Sequence, residues 1–182
     1  MAYRITEVKL AYFPNAIRVC QALADIGLPE EHLRNAIERF VCDAPLIRPQ
    51  GYTQVLATAL KSYLERVLPD SNDLRVGSTY YSARLNERAD LAIQQPQGES
   101  RIYVEVEFRP NVEKDLIKFQ IGYNAGRLAA AVLILAIDRN RINPKYTTMP
   151  EFSKFAQVIE ELRPVYPLLL VGIAGEHVDI GS

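Results

Sequence analysis

The stretch from Leu128 to Ile137 restricts the fold more than any other part of the chain. Residues 129–137 read AAAVLILAI, apolar throughout and without alternation. A strand with one wet face carries a polar residue at every second position, so this run is predicted as a strand buried on both faces. A second run, Pro167 to Ile173, has the same character. Between them lie a polar loop at 138–150, rich in Arg, Asn and Pro, and a helical pattern over about 151–163. Strand, crossover helix and strand of this kind predict an α/β fold with a mixed central sheet flanked by helices.

The remaining periodicity is consistent with that plan. Helices are predicted over 14–26, with a stripe of Ile17, Cys20, Leu23 and Ala24, over 29–42, with Leu33, Ile37, Phe40 and Val41, and over 52–68. Pro69-Asp-Ser-Asn-Asp73 is a turn cluster, after which the period switches to two. Strands are predicted at about 74–84, 89–94 and 102–108, a helix at 112–127, and a short last strand near 177–180. The chain thus reads as one domain over 1–182, with a helical part to about 70 and a core over about 74–180.

Composition narrows the function classes. At 48% hydrophobic residues and a mean hydropathy of −0.07, the 182 residues hold enough apolar material for a core. The longest apolar run is about half a membrane span, and the first residues lack a signal peptide's apolar segment. Two cysteines, Cys20 and Cys42, show no metal or redox spacing, which points to a reducing cytoplasm. No P-loop, GxGxxG or HExxH occurs, and His32 and His177 are isolated, so a zinc enzyme or Ser-His hydrolase is disfavoured. Twenty-one Lys and Arg against 22 Asp and Glu give a net charge of −1. A chain so balanced binds DNA only by gathering its positive charge on one face.

The chemistry concentrates in Ala89-Asp-Leu-Ala-Ile-Gln94 and Arg101-Ile-Tyr-Val-Glu-Val-Glu-Phe108. Alternation sets Ile102, Val104, Val106 and Phe108 on one face of the second strand and Tyr103, Glu105 and Glu107 on the other. A symmetric hairpin centred between Gln97 and Gly98 places Asp90 opposite Glu105, with Cβ atoms about 4.5–5.5 Å apart. Like charges at about 5 Å repel by roughly 3 kcal/mol at an effective dielectric near 20, so a proton or a cation is needed between them. Oxygen ligands without His or Cys suit Mg²⁺ or Mn²⁺. The alternative is that Glu105 and Glu107 form the wet face of an antiparallel strand. A one-residue slip of register would send Asp90 to the other face.

These residues resemble the PD-(D/E)XK nucleases, and specifically the BamHI/BglII-type restriction endonucleases. Val104-Glu-Val-Glu-Phe108 has the form in which Glu replaces the usual Lys. Lys114-Asp-Leu-Ile-Lys-Phe119 is similar to the helix after the metal strand, and Ala130-Ala-Val-Leu-Ile-Leu135 to the next buried strand. Tyr146-Thr-Thr-Met149 and Tyr166-Pro-Leu-Leu-Leu-Val-Gly-Ile173 resemble the later Thr-Thr segment and the last core strand. The likeness covers about residues 80–175, and Ala89 stands where the motif's name has Pro.

The resemblance implies a restriction-endonuclease-like sheet and a Mg²⁺-dependent type II endonuclease that cuts double-stranded DNA at a specific site. Asp90, Glu105 and the carbonyl oxygen of Val106 would hold the metal, and Glu107 would act on the attacking water. Glu65 or Glu87 offers a further acid. DNA contacts would come from Arg109, Asn111, Lys114 and Lys118, and from Arg139, Asn140, Arg141, Asn143, Lys145, Thr147 and Thr148. A two-fold DNA site implies a homodimer, with the helical surface of Lys61 and Arg66 as one place for the interface. Host defence is the role such an enzyme would serve. Two rivals stand beside this reading: a glycosidase using the paired Glu residues, against which the lack of Trp speaks, and a catalytically silent DNA-binding or interaction domain on the same fold.

Overall fold

The structure, a computed structural model, describes residues 2–39, 41–43, 51–67, 75–77, 81, 87–94, 100–107, 112–137 and 151–178. For residues 2–3, 41–43, 51–54, 67, 75–77 and 177–178 this covers the backbone alone. The elements run β1 (Ala2–Phe13), α1 (Ala16–Asp25), α2 (Glu30–Glu38), β2 (Val41–Asp43), α3 (Gly51–Val67), β3 (Arg75–Gly77), β4 (Leu91–Gln94), β5 (Arg101–Glu107), α4 (Glu113–Asn124), β6 (Leu128–Ala136), α5 (Phe152–Leu162) and β7 (Leu168–Val178).

The strands form one mixed sheet in the order β2-β1-β7-β6-β5-β4-β3. The apolar run read from sequence is β6, which lies between β5 and β7 and is parallel to both. Its side chains alternate between two cores. Ala130, Val132 and Ile134 join Leu23, Ile37, Leu56 and Leu60 from α1, α2 and α3 on one face. Ala131, Leu133 and Leu135 join Leu116 and Phe119 of α4 and Phe155 and Ile159 of α5 on the other. The mixed sheet flanked by helices is the architecture the sequence predicts.

The largest departure is β1, twelve residues in a part of the chain read as helical. Its apolar positions change phase, from Ile5 to Val8, Leu10 and Tyr12, and so do not look like one strand. A bulge between Ile5 and Glu7 in the antiparallel β1–β7 ladder absorbs the shift. All four side chains therefore pack on the same core. The stripe of α1 also differs: Val19, Leu23 and Ile26 are buried, whereas Ile17 is 84% exposed. Asn15 caps this helix by accepting from Arg18 N at 3.0 Å, and Gly27, at φ 83°, turns the chain out of it.

Helix α2 ends at Glu38 rather than 42, because Val41–Asp43 leave it to pair antiparallel with β1. The last strands predicted at 167–173 and near 177–180 are not separate as far as the described residues reach: β7 runs unbroken from Leu168 to Val178, and residues 179–180 lie outside them. Of the strand predicted over 74–84, Arg75–Gly77 is β3 and Tyr81 sits in a bend. The loop at 138–150 lies outside the described residues.

Candidate active site

Strands β4 and β5 are antiparallel, with Leu91 opposite Val104 and Gln94 opposite Arg101. Carried one residue further, this register sets Asp90 against Glu105, as the symmetric hairpin requires. Asp90 lies in a bend just before β4 and accepts a hydrogen bond on Oδ2 from Val106 N at 2.9 Å. Within a strand, one residue's N–H and C=O point to the same edge, so the Val106 carbonyl faces the Asp90 side as well.

The alternation of β5 is as predicted. Ile102, Val104 and Val106 enter the core under α1–α3, and Tyr103 enters the core under α4 and α5. Glu105 is therefore directed beneath α4. The wet-face alternative does not describe it, since β5 is an interior strand and Glu105 is only 4% exposed.

A buried acid needs partners. The Tyr81 hydroxyl donates to Glu105 Oε1, and Lys118 Nζ stands 3.3 Å from the same oxygen. Lys118 Nζ also donates to Asp115 Oδ1 at 2.9 Å and lies 5.9 Å over the Tyr81 ring. Asp115 and Lys118 are both buried. They fall at i and i+3 on α4, in line with Phe119 and Gly122, so two charged residues occupy the helix's inward stripe. Gly122 allows the close approach: a Cβ there would meet Tyr103 Cε2 at 3.0 Å and Tyr81 Cδ1 at 3.3 Å.

The electrostatics follow from this burial. Glu105 is pushed up to about 8 by desolvation and by the charge of Asp90, against the opposing pull of Lys118 and the Tyr81 hydrogen bond. Asp90 is open to solvent as a residue, yet its carboxylate is turned inward; crowding by protein atoms raises its pKa, opposed by the Val106 N–H. Tyr81 is raised far above a free phenol by burial and by Glu105, so it remains a hydrogen-bond donor. For Lys118, burial would lower the pKa, but Glu105 and Asp115 outweigh it and the net shift is upward. The site thus sets the Lys118 ammonium among Asp90, Glu105 and Asp115, and burial together with mutual repulsion favours the protonated form of the Asp90–Glu105 pair.

Among the described residues no group of three or more His, Cys, Asp or Glu side chains is arranged to hold a metal ion. The donor set on offer is smaller: the Asp90 and Glu105 carboxylates and the Val106 carbonyl. Hard oxygen donors that include two carboxylates fit Mg²⁺, which keeps several waters and is commonly held by one or two carboxylates. The repulsion within the pair is what such a cation relieves.

The other sequence candidates are dispersed. Glu107 is half-buried at the end of β5, on the same strand face as Glu105 by alternation. Glu87, half-buried, pairs with the exposed Lys114 at 3.4 Å, beside the first turn of α4. Glu65 pairs with Lys61 at 3.8 Å on α3, whose buried side lies against the opposite face of the sheet from Glu105. Lys118, expected to face DNA, instead points inward at Glu105 and Asp115, because the stripe of α4 that carries it is the buried one. Arg109, Asn111, Arg139, Asn140, Arg141, Asn143, Lys145, Thr147 and Thr148 lie outside the described residues. Tyr81 and Asp115 were not visible as site residues in the sequence. Asp115 had a signal, a charge on the periodic stripe of α4, whereas nothing in Tyr80-Tyr81 distinguishes which ring turns inward.

No helix among the described residues is long and apolar enough to cross a membrane. No family model matches the chain, and no curated protein matches it. Among solved structures, the chain is similar to a crystal structure of free BglII, at 13% sequence identity and a TM-score of 0.44, over 96% of this chain and 82% of that one.

Proposed function

We propose that the chain is a Mg²⁺-dependent endonuclease that hydrolyses phosphodiester bonds of double-stranded DNA at a specific site and acts as a homodimer. The observation that carries this reading is the β4–β5 register, which opposes Asp90 to a buried Glu105 beside the Val106 main chain. It is joined by the sequence resemblance of Val104–Phe108 and the segments after it to the BamHI/BglII-type enzymes.

In this reading Asp90, Glu105 and the Val106 carbonyl hold the divalent ion. When bound, the ion supplies polarisation of the scissile phosphate and stabilisation of the leaving oxygen. Asp90 is positioned by the Val106 N–H, and Glu105 by the Tyr81 hydroxyl and Lys118. Glu107 is the proposed acceptor of the attacking water's proton. Lys114, exposed at the first turn of α4, and the basic segments at 109–111 and 139–148 are the proposed contacts to the DNA backbone and bases.

The test is digestion of mixed plasmid and phage DNA with Mg²⁺, with Mn²⁺ and with EDTA, beside Glu105→Ala. Discrete fragments that need the metal and Glu105 are expected. A metal-dependent smear would keep the hydrolysis and remove the site specificity. Folded protein that retards DNA but never cuts it would establish the silent binding domain instead.

A further inference from the structure

Lys118 has a place that neither a surface lysine nor a simple core residue explains. It is 8% exposed, and its Nζ lies 3.3 Å from Glu105 Oε1 and 2.9 Å from Asp115 Oδ1. Asp115, one turn back on the same helix, tethers the ammonium so that it cannot easily leave Glu105. Burying a lysine is unfavourable unless its charge is used. Here it is set against one of the two carboxylates whose mutual repulsion calls for a cation.

We propose that Lys118 is a resident counter-ion of the Asp90–Glu105 pair: it compensates Glu105 in the metal-free protein and weakens divalent-cation binding there, which keeps that binding exchangeable. The inference rests on the metal site proposed above. Its sign follows from charge products. A dication at Glu105 is repelled by the ammonium with twice the strength with which the ammonium attracts a single carboxylate charge at equal distance. Removing the lysine charge removes that repulsion from a dication at Glu105. Lys118 is thus a positioning residue that sets cation affinity through Glu105.

The experiment is calorimetric titration of MnCl₂ into the full chain without DNA, for the wild type, Glu105→Gln, Lys118→Met, Lys118→Gln and Lys118→Arg. Thermal melts establish that each variant is folded. Lys118→Gln retains hydrogen-bonding capacity toward Asp115 and Glu105 and serves if Lys118→Met does not fold. The expected result is at least tenfold tighter Mn²⁺ binding in the neutral variants and wild-type affinity within threefold in Lys118→Arg. Glu105→Gln should lose the binding. Unchanged or weaker binding in the neutral variants, with the wild type still dependent on Glu105, overturns the counter-ion role alone. An equal change in Lys118→Arg and Lys118→Met would mean packing rather than charge, and also overturns it. Mn²⁺ binding that ignores Glu105, or none in any variant, overturns the metal site and this inference together.

Discussion

Asp90 accepts a hydrogen bond from the main-chain N–H of Val106 at 2.9 Å, so the first acid of the site is tied to the strand that carries the second. The tie crosses from the bend before β4 to the residue after Glu105. The fastener is the Asp90 side chain itself: its Oδ2 is committed to the Val106 N–H, which sets this carboxylate beside the strand that carries Glu105.

The burial of Glu105 makes stability depend on pH. Its pKa is about 8 in the folded chain against an ordinary 4.5, so the folded state holds the proton more tightly than the unfolded state. The stability this contributes is complete below pH 4.5 and is lost as pH rises through about 8. The raised Asp90 acts in the same direction. In EDTA, Glu105→Gln should therefore gain on the wild type between pH 5 and pH 9, by a few kcal/mol on the order of the shift. Thermal unfolding at several pH values checks this; parallel pH profiles for the two proteins would contradict it.

Tyr81→Phe removes the hydroxyl that donates to Glu105 Oε1 from a fully buried ring. A hydrogen bond to a charged group contributes about 1.5–3 kcal/mol, so the loss should be of that size where Glu105 is ionised and smaller where it is protonated. Melts at pH 9 and pH 5 separate the two. A cost that is the same at both pH values would show that Tyr81 acts through packing alone.

How much of this was legible in the sequence depends on the element. The apolar β6 and the alternation of β5 announce themselves, because two-sided burial and period-two burial leave different patterns in a single strand. The hairpin register was left open by the sequence: a loop centred between Gln97 and Gly98 leads to the observed pairing of Leu91 with Val104, and a one-residue slip would have turned Asp90 to the other face. Strand β1 was not legible, because its bulge breaks the alternation between Ile5 and Val8. Lys118 departs from its expected exposed position for a related reason. A charged residue on a helix is taken to face water, and only the inward acids Glu105 and Asp115 reverse that expectation.

Gly122→Ala tests the contact that brings α4 down onto the site. In a helix the exchange normally stabilises by about 1 kcal/mol. Here the new methyl would lie 3.0 Å from Tyr103 Cε2 and 3.3 Å from Tyr81 Cδ1, and overpacking of a core costs about 1–3 kcal/mol. The melting temperature is expected to fall. A rise would mean that the tyrosine rings move aside freely and that α4 is not held close by this glycine.

The most direct measurement is single-turnover cleavage of end-labelled double-stranded DNA in Mg²⁺ by the wild type, Asp90→Asn and Glu105→Gln, each verified as folded. The opposed carboxylates predict cutting by the wild type that EDTA abolishes, and a loss of about a thousandfold or more in either variant, the scale on which removing a central catalytic group acts. Cutting at the wild-type rate by Asp90→Asn or Glu105→Gln would contradict the assignment of this pair as the active site.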